Sequence, residues 1–125
     1  MPVALVSDKT KSDLTTVVAA IDDGMTIMVG GFGGAGAPLE LIHALVDRWR
    51  ATGSPANLTI VNNNAGNGDV GLAALLKAGR VRKIICSFPR QADSHVFDAL
   101  YRSGKIELEL VPQGNLAERI RAAGA

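Results

Sequence analysis

Metal-ligating and redox-active side chains are scarce in this 125-residue chain, which has one cysteine and two histidines. With Cys86 alone, no internal disulfide can form, and the isolated His43 and His95 show no zinc-binding spacing. No metal site is therefore expected. Aromatic residues make up only 4% of the chain, and 13 basic side chains face 12 acidic ones. Without a basic footprint or a base-stacking surface, nucleic acid is set aside as a partner. No apolar run approaches membrane-spanning length, and Met1 to Lys9 lacks a basic stretch followed by a long apolar one. The expectation is a cytoplasmic protein with no membrane partner. What the chain does have is apolar residues, at 47%, and 14 glycines. That is enough to bury one modest core, so residues 1–125 are expected to form a single domain.

Hydrophobic spacing divides the chain into alternating elements. Leu14, Val17, Val18 and Ile21 recur at helical intervals, and Asp22-Asp23-Gly24 ends that pattern before a strand over Thr26 to Val29. From Pro38, the residues Leu41, Ile42, Leu45, Val46 and Trp49 form one apolar stripe that stops at Thr52-Gly53-Ser54-Pro55. Leu58 to Val61 reads as strand, Leu72 to Leu76 as a short helix ending near Gly79, and Val81 to Cys86 as strand with a solvated start. Val96, Phe97, Leu100 and Tyr101 mark another helix. Ile106 to Val111 alternates with Glu107 and Glu109, as in a strand with one exposed face, and a last helix is expected from Asn115 to about Ala122. Strands alternating with helices predict a parallel α/β sheet with right-handed crossovers.

Ligands of such sheets bind beyond the carboxyl ends of the strands, near a reversal of strand order. Three unusual segments fall at those ends. After the first strand comes Gly30-Gly31-Phe32-Gly33-Gly34-Ala35-Gly36, closed by Pro38 in the first helical turn. Glycine admits positive φ and lets a ligand approach the backbone, so free N–H groups and a helix dipole are expected to converge there. After the second strand comes Asn62-Asn63-Asn64, and after the fourth Pro112-Gln113-Gly114. Together they offer backbone N–H groups and neutral amides, suited to a phosphate, a carboxylate or a developing oxyanion. They offer no acid, base or nucleophile.

Plainer readings stand beside these. The glycines serve tight packing, the asparagines cap and turn the chain, and Gln113 is an ordinary loop residue. Cys86 reads as a small core residue, His43 and His95 as surface or satisfied helix residues, and Glu107 and Glu109 as a solvated strand face. Arg90, just past a strand end, either holds a carboxylate or is simply exposed. Gly31 to Gly36 also satisfies the dinucleotide pattern G-x-G-x-x-G. The acidic residue expected for a ribose hydroxyl after the second strand is replaced by asparagines, and no Lys-Ser/Thr pair completes a P-loop.

These stretches resemble the family I coenzyme A-transferases, specifically their A (alpha) chains. Asp23 to Pro38 is similar to that family's glycine signature throughout, and Asn63-Asn64-Ala65-Gly66 and Pro112 to Ile120 resemble two further blocks. Within the family, Cys86-Ser87-Phe88-Pro89-Arg90-Gln91 and Asp93-Ser94 look most like the 3-oxoadipate:succinyl-CoA transferases. The resemblance implies a three-layer Rossmann-like α/β sheet, mostly parallel. It implies an enzyme that moves CoA from succinyl-CoA to a 3-oxoacid such as 3-oxoadipate through a glutamyl-CoA thioester, with the glutamate on the B subunit of a hetero-oligomer. CoA thioester and carboxylic acid are then substrates, and no permanent cofactor is expected. Carried over, Gly30, Gly31, Phe32, Gly33, Gly34, Ala35 and Gly36 are expected to bind CoA. Gln113, Asn63 and Asn64 are expected to line the catalytic site, and Arg90 to hold a distal carboxylate. The family's alpha chains are longer, so this chain looks like the amino-terminal half of one, with an apolar sheet edge expected to be uncovered. The alternative is a stand-alone domain binding a nucleotide or anionic metabolite.

Overall fold

The computed structural model describes residues 8, 10, 11 and 13–125. The reading of the extreme amino terminus, over residues 1–7 and 9, falls outside the described residues. The elements in chain order are α1 (Leu14–Val18), β1 (Thr26–Met28), α2 (Leu39–Thr52), β2 (Leu58–Val61), α3 (Leu72–Lys77), β3 (Val81–Cys86), α4 (His95–Arg102), β4 (Glu107–Leu110) and α5 (Gln113–Ala123). Local chemistry sets several of these limits. Asp13 caps α1 by accepting from the Thr15 N–H at 3.0 Å, and Gly53 ends α2 in the left-handed region at φ 79°. Pro38 precedes the first turn of α2 as its N-cap, and α5 starts two residues earlier than its apolar pattern predicts, because Gln113 and Gly114 already carry helical geometry.

The four strands are parallel and lie in sequential order, β1-β2-β3-β4. Among the described strands the order is sequential, with no reversal between neighbours. Side chains alternate across the sheet with the period of two that strand geometry requires. Ile60 and Ile84 enter the larger core with Val18, Leu45, Leu75 and Phe97, so α1 to α4 share one face. Val61 and Ile85 face the other way, where Val111, just past β4, and Leu116 of α5 cover them. The result is three layers, with the second face only partly covered; Met28 there is 57% exposed. Arg48 on α2 donates to the carbonyls of Val18 and Ile21, tying the end of α1 to the second helix. Glu109 on β4 pairs with Lys83 at 3.0 Å and Arg119 at 2.8 Å, so the charges that alternate along this strand form an exposed ion-paired face.

The loop from β2 into α3 turns at glycines with distinct tasks. At Gly66 φ is +92° and an added Cβ would lie 2.7 Å from the Ala73 backbone nitrogen, whereas at Gly68 φ is +65° with nothing within 4 Å. Gly68→Ala is expected to cost about 1–2 kcal/mol for the left-handed conformation alone. Gly66→Ala should cost clearly more, because the backbone of α3 must move. Urea midpoints of the two variants check this, and equal midpoints would refute the close approach.

Candidate active site

All four strands deliver their carboxyl ends to one side of the molecule, and the loops that leave them meet around a cavity of about 470 Å³. Phe32, Gly33, Asn63, Ser87, Phe88, Gln91 and Gln113 line it. None of these side chains ionises. Phe32 is 71% exposed and Phe88 59%, so two apolar rings share the cavity with the polar side chains of Asn63, Ser87, Gln91 and Gln113.

The three asparagines after β2 each hold a different neighbour. Asn62, only 6% exposed, donates to the carbonyl of Val29 at 2.6 Å and accepts from the Asn64 N–H at 2.9 Å. Asn64, 4% exposed, donates to the Gly33 carbonyl at 3.1 Å and accepts from the Gly66 N–H at 2.9 Å. Both side chains therefore spend their polar atoms on neighbouring backbone, as asparagine does in turns. They line a smaller cavity of about 180 Å³ under the glycine loop, not the larger one. Asn63 alone of the three turns into the larger cavity.

Its amide has a fixed polarity. The Gly33 N–H donates to Asn63 Oδ1 at 3.1 Å, and a backbone N–H can only donate. Asn63 Nδ2 is thereby left to donate to Gln113 Oε1 at 3.0 Å. Ser87 Oγ also meets Gln113 Oε1. The serine proton goes there because its other acceptor, the Asn63 carbonyl, already receives the N–H groups of Ser87 and Phe88 at 3.2 and 2.9 Å. With both lone pairs of Oε1 engaged, Gln113 presents its Nε2 amide hydrogens as the free end. Gln113 is the first residue of α5, so this donor stands at a helix N-terminus, where developing negative charge is favoured.

The glycine loop differs from the open nest that its composition suggests. Phe32 and Ala35 pair with each other, N–H to carbonyl at 2.9 and 3.1 Å, closing a tight turn over Gly33 and Gly34. With Gly33 committed to Asn63, three N–H groups of the loop serve its own shape. Its residues also face different spaces. Phe32 and Gly33 line the large cavity, Gly34 the smaller one, and Gly30 and Gly31 a shallow cleft beside Met28 and Leu116, while Ala35 and Gly36 line none of these.

Arg90 is not brought into the cavity. Its Nε donates to Asp98 on α4 at 3.2 Å. Ser87, Phe88 and Gln91, by contrast, sit in the cavity although their residue types carry no mark of it. Two signals were available: they follow the third strand's carboxyl end as the other loops follow theirs, and they fall in the Cys86 to Gln91 block that carries part of the family resemblance. Cys86 is wholly buried, and burial pushes its thiol up to about 11, which leaves it a core residue. His43 accepts the Gly71 N–H at 3.1 Å, a satisfied structural role.

A family model described as Coenzyme A transferase matches residues 11–125. The chain belongs to the coenzyme A transferase family. It is 66% identical over 117 residues to the A subunit of 3-oxoadipate CoA-transferase from Acinetobacter baylyi, covering 94% of this chain and 49% of that one. The Pseudomonas putida protein of the same name is 65% identical over 118 residues, with the same coverage of each chain. The chain thus spans about half the length of these relatives. Among solved structures, an acyl-CoA transferase from Escherichia coli O157:H7, in a thioester complex with CoA, superimposes with a TM-score of 0.74 at 30% identity, covering 90% of this chain and 22% of that one. No helix among the described residues is long and apolar enough to cross a membrane.

In this member of the family the loops after β2 and β3 are stapled together. The Asp93 N–H donates to Asn67 Oδ1 at 2.9 Å and the Gly68 N–H to the Asp93 carbonyl at 2.8 Å. His95 sits between two carboxylates, Nδ1 against Asp93 at 2.5 Å and Nε2 against Asp69 at 3.1 Å. Hydrogen bonding to Asp93 first, then to Asp69, raises its pKa from the ordinary 6.5. A raised pKa means the folded state holds the proton more tightly, so this contact stabilises fully below the unfolded value and fades as pH climbs through the folded one. The urea-midpoint gap between the native protein and His95→Gln should be widest near pH 5.5 and narrow above about 6.5. A gap that widens with pH would contradict an imidazolium at this position.

Proposed function

We propose that this chain supplies the amide-lined half of the active site of a CoA-transferase that moves CoA from succinyl-CoA to a 3-oxoacid, most specifically 3-oxoadipate. The carrying observation is a cavity with polarised amide donors and no ionisable side chain at all. Such a wall can orient and stabilise negative charge, but it cannot attack a thioester. The relatives' designation as the A member of a pair fits that division, with the nucleophile on the B subunit, the two chains sharing one cytoplasmic hetero-oligomer.

In this reading a glutamate carboxylate of the partner attacks the acyl carbonyl of succinyl-CoA and expels CoA thiolate, leaving an acyl-glutamyl anhydride. The thiolate returns to the glutamyl carbonyl and releases succinate, giving a glutamyl-CoA thioester. The 3-oxoacid carboxylate then attacks that thioester, and the same two exchanges in reverse order give the new acyl-CoA and restore the glutamate. Each exchange passes through a tetrahedral oxyanion, so covalent catalysis divides one hard transfer into several easier steps. In this reading the free Nε2 hydrogens of Gln113 donate to the carboxylate or oxyanion. Asn63 and Ser87 hold that amide in its orientation, and Asn64 keeps Gly33 in register with Asn63. Phe32 and Gly33 offer the loop surface along which CoA lies, in the manner expected for Gly30 to Gly36. The rival reading, a stand-alone binding domain for a nucleotide or anionic metabolite, finds no cationic side chain in the cavity and a glycine turn closed on itself.

The test is transfer from succinyl-CoA to 3-oxoadipate by this chain co-expressed with a family B subunit, next to a full-length alpha chain with the same partner. Measurable formation of 3-oxoadipyl-CoA supports the reading, and none beside a working control contradicts it. Gln113→Ala should lower kcat by about 10²–10³-fold, the effect typical of losing one oxyanion donor, while co-purification with the B subunit is unchanged. Unchanged turnover would remove Gln113 from the chemistry.

A further inference from the structure

Gln91 Nε2 is the one buried side-chain nitrogen or oxygen without a hydrogen-bond partner among the described residues. Leaving a buried amide donor unpaired costs folding free energy, and such groups are rare enough to require a reason. Gln91 lines the large cavity beside Phe32, Phe88 and Gln113, with its Oε1 close to the Gly33 backbone. Nε2 itself is shielded from solvent. The terminal torsion of glutamine is broad, and an amide end that forfeits no hydrogen bond on leaving its place swings toward an acceptor in the cavity at little cost.

The cavity then offers two neutral donors, Gln113 Nε2 and Gln91 Nε2, with two apolar rings beside them. A molecule that satisfies both carries an oxygen acceptor at each end of a short apolar chain. We propose that Gln91 is a specificity-determining residue that donates to the non-reacting carboxylate of a dicarboxylic acyl substrate, while Gln113 serves the reacting end. This rests on the transferase reading above and deepens it. It also moves the recognition of the distal carboxylate from Arg90, whose guanidinium is engaged by Asp98, to an amide inside the cavity.

The experiment compares two acceptors of equal chain length, 3-oxoadipate and 3-oxohexanoate, with this chain assembled with its B subunit. Gln91→Leu removes the donor at similar size and creates no unpaired group. It should lower kcat/KM for 3-oxoadipate by about ten- to a hundredfold, the range for a hydrogen bond to a charged group, mainly through KM. Transfer to 3-oxohexanoate should change by less than about threefold, because that acceptor lacks the group that Gln91 binds. Gln91→Glu, which sets a like charge against the distal carboxylate, should discriminate against 3-oxoadipate still more strongly. An unchanged preference in Gln91→Leu would overturn the inference, as would a preference lost in Arg90→Met but kept in Gln91→Leu. Calorimetric binding of adipate and hexanoate to the same assemblies separates this inference from the transferase reading. Adipate should bind the native chain at least about tenfold more tightly than Gln91→Leu, with hexanoate binding both equally. That pattern in an assembly without transfer activity sustains the role of Gln91 and removes the transferase reading. Equal adipate binding by both proteins overturns the role of Gln91.

Discussion

The hydrogen bond from the Gly33 N–H to Asn63 Oδ1 sets the polarity of the amides that line the cavity. An isolated side-chain amide can present either end, but a backbone N–H cannot accept, so this one contact decides which atom Asn63 offers onward. The choice passes to Gln113, whose Oε1 is claimed by Asn63 and Ser87, and it ends with the Nε2 amide of this cavity-lining residue left as the free end at the start of a helix. Hydrogen bonds in series within a partly buried site reinforce one another, and removing one member disturbs the next. The glycine loop is consequently more than a permissive surface. Its closed turn places Gly33, and Asn64 holds the Gly33 carbonyl from below while Asn63 takes the N–H.

The sheet explains why such a line can exist. Parallel strands in sequential order bring every carboxyl end to the same side, and the pairing of β2 with β3 continues past Val61 and Cys86 into Asn64 and Phe88. Loops as distant in sequence as those of Phe32 and Gln113 therefore meet around one cavity. Asn62 anchors the same arrangement toward β1 through the Val29 carbonyl.

Much of the scaffold was legible because apolar periodicity and burial agree. Strands Leu58–Val61 and Val81–Cys86 lie where the apolar runs place them, and α2 ends at the glycine that marks its stop. The site was legible in part. Loops rich in glycine and amides at three strand ends were visible, but the division of labour among three consecutive asparagines was not. That division depends on which side of the chain each faces, and a bend after the strand sets it, with no trace in residue type. The turn formed by Phe32 and Ala35 was hidden for a similar reason, since a run of glycines permits an open nest and a closed turn equally. Gln91 gave no sign of its role because an orphaned donor is a property of packing. Arg90 stands out in the sequence by its charge, yet the carboxylate it pairs with belongs to Asp98, eight residues along the chain on α4.

The polarity of the Asn63–Gln113 line is tested most directly by replacing one amide with a carboxylate. Asn63→Asp keeps an acceptor for the Gly33 N–H but can no longer donate to Gln113, so the glutamine loses the contact that fixes its orientation. The decisive measurement is kcat for succinyl-CoA to 3-oxoadipate transfer by Asn63→Asp, Gln113→Ala and the double variant in the assembled enzyme. If Asn63 acts through Gln113, the double variant is about as slow as Gln113→Ala alone, a strong departure from additivity. Losses that multiply, as for two independent sites, would contradict the account.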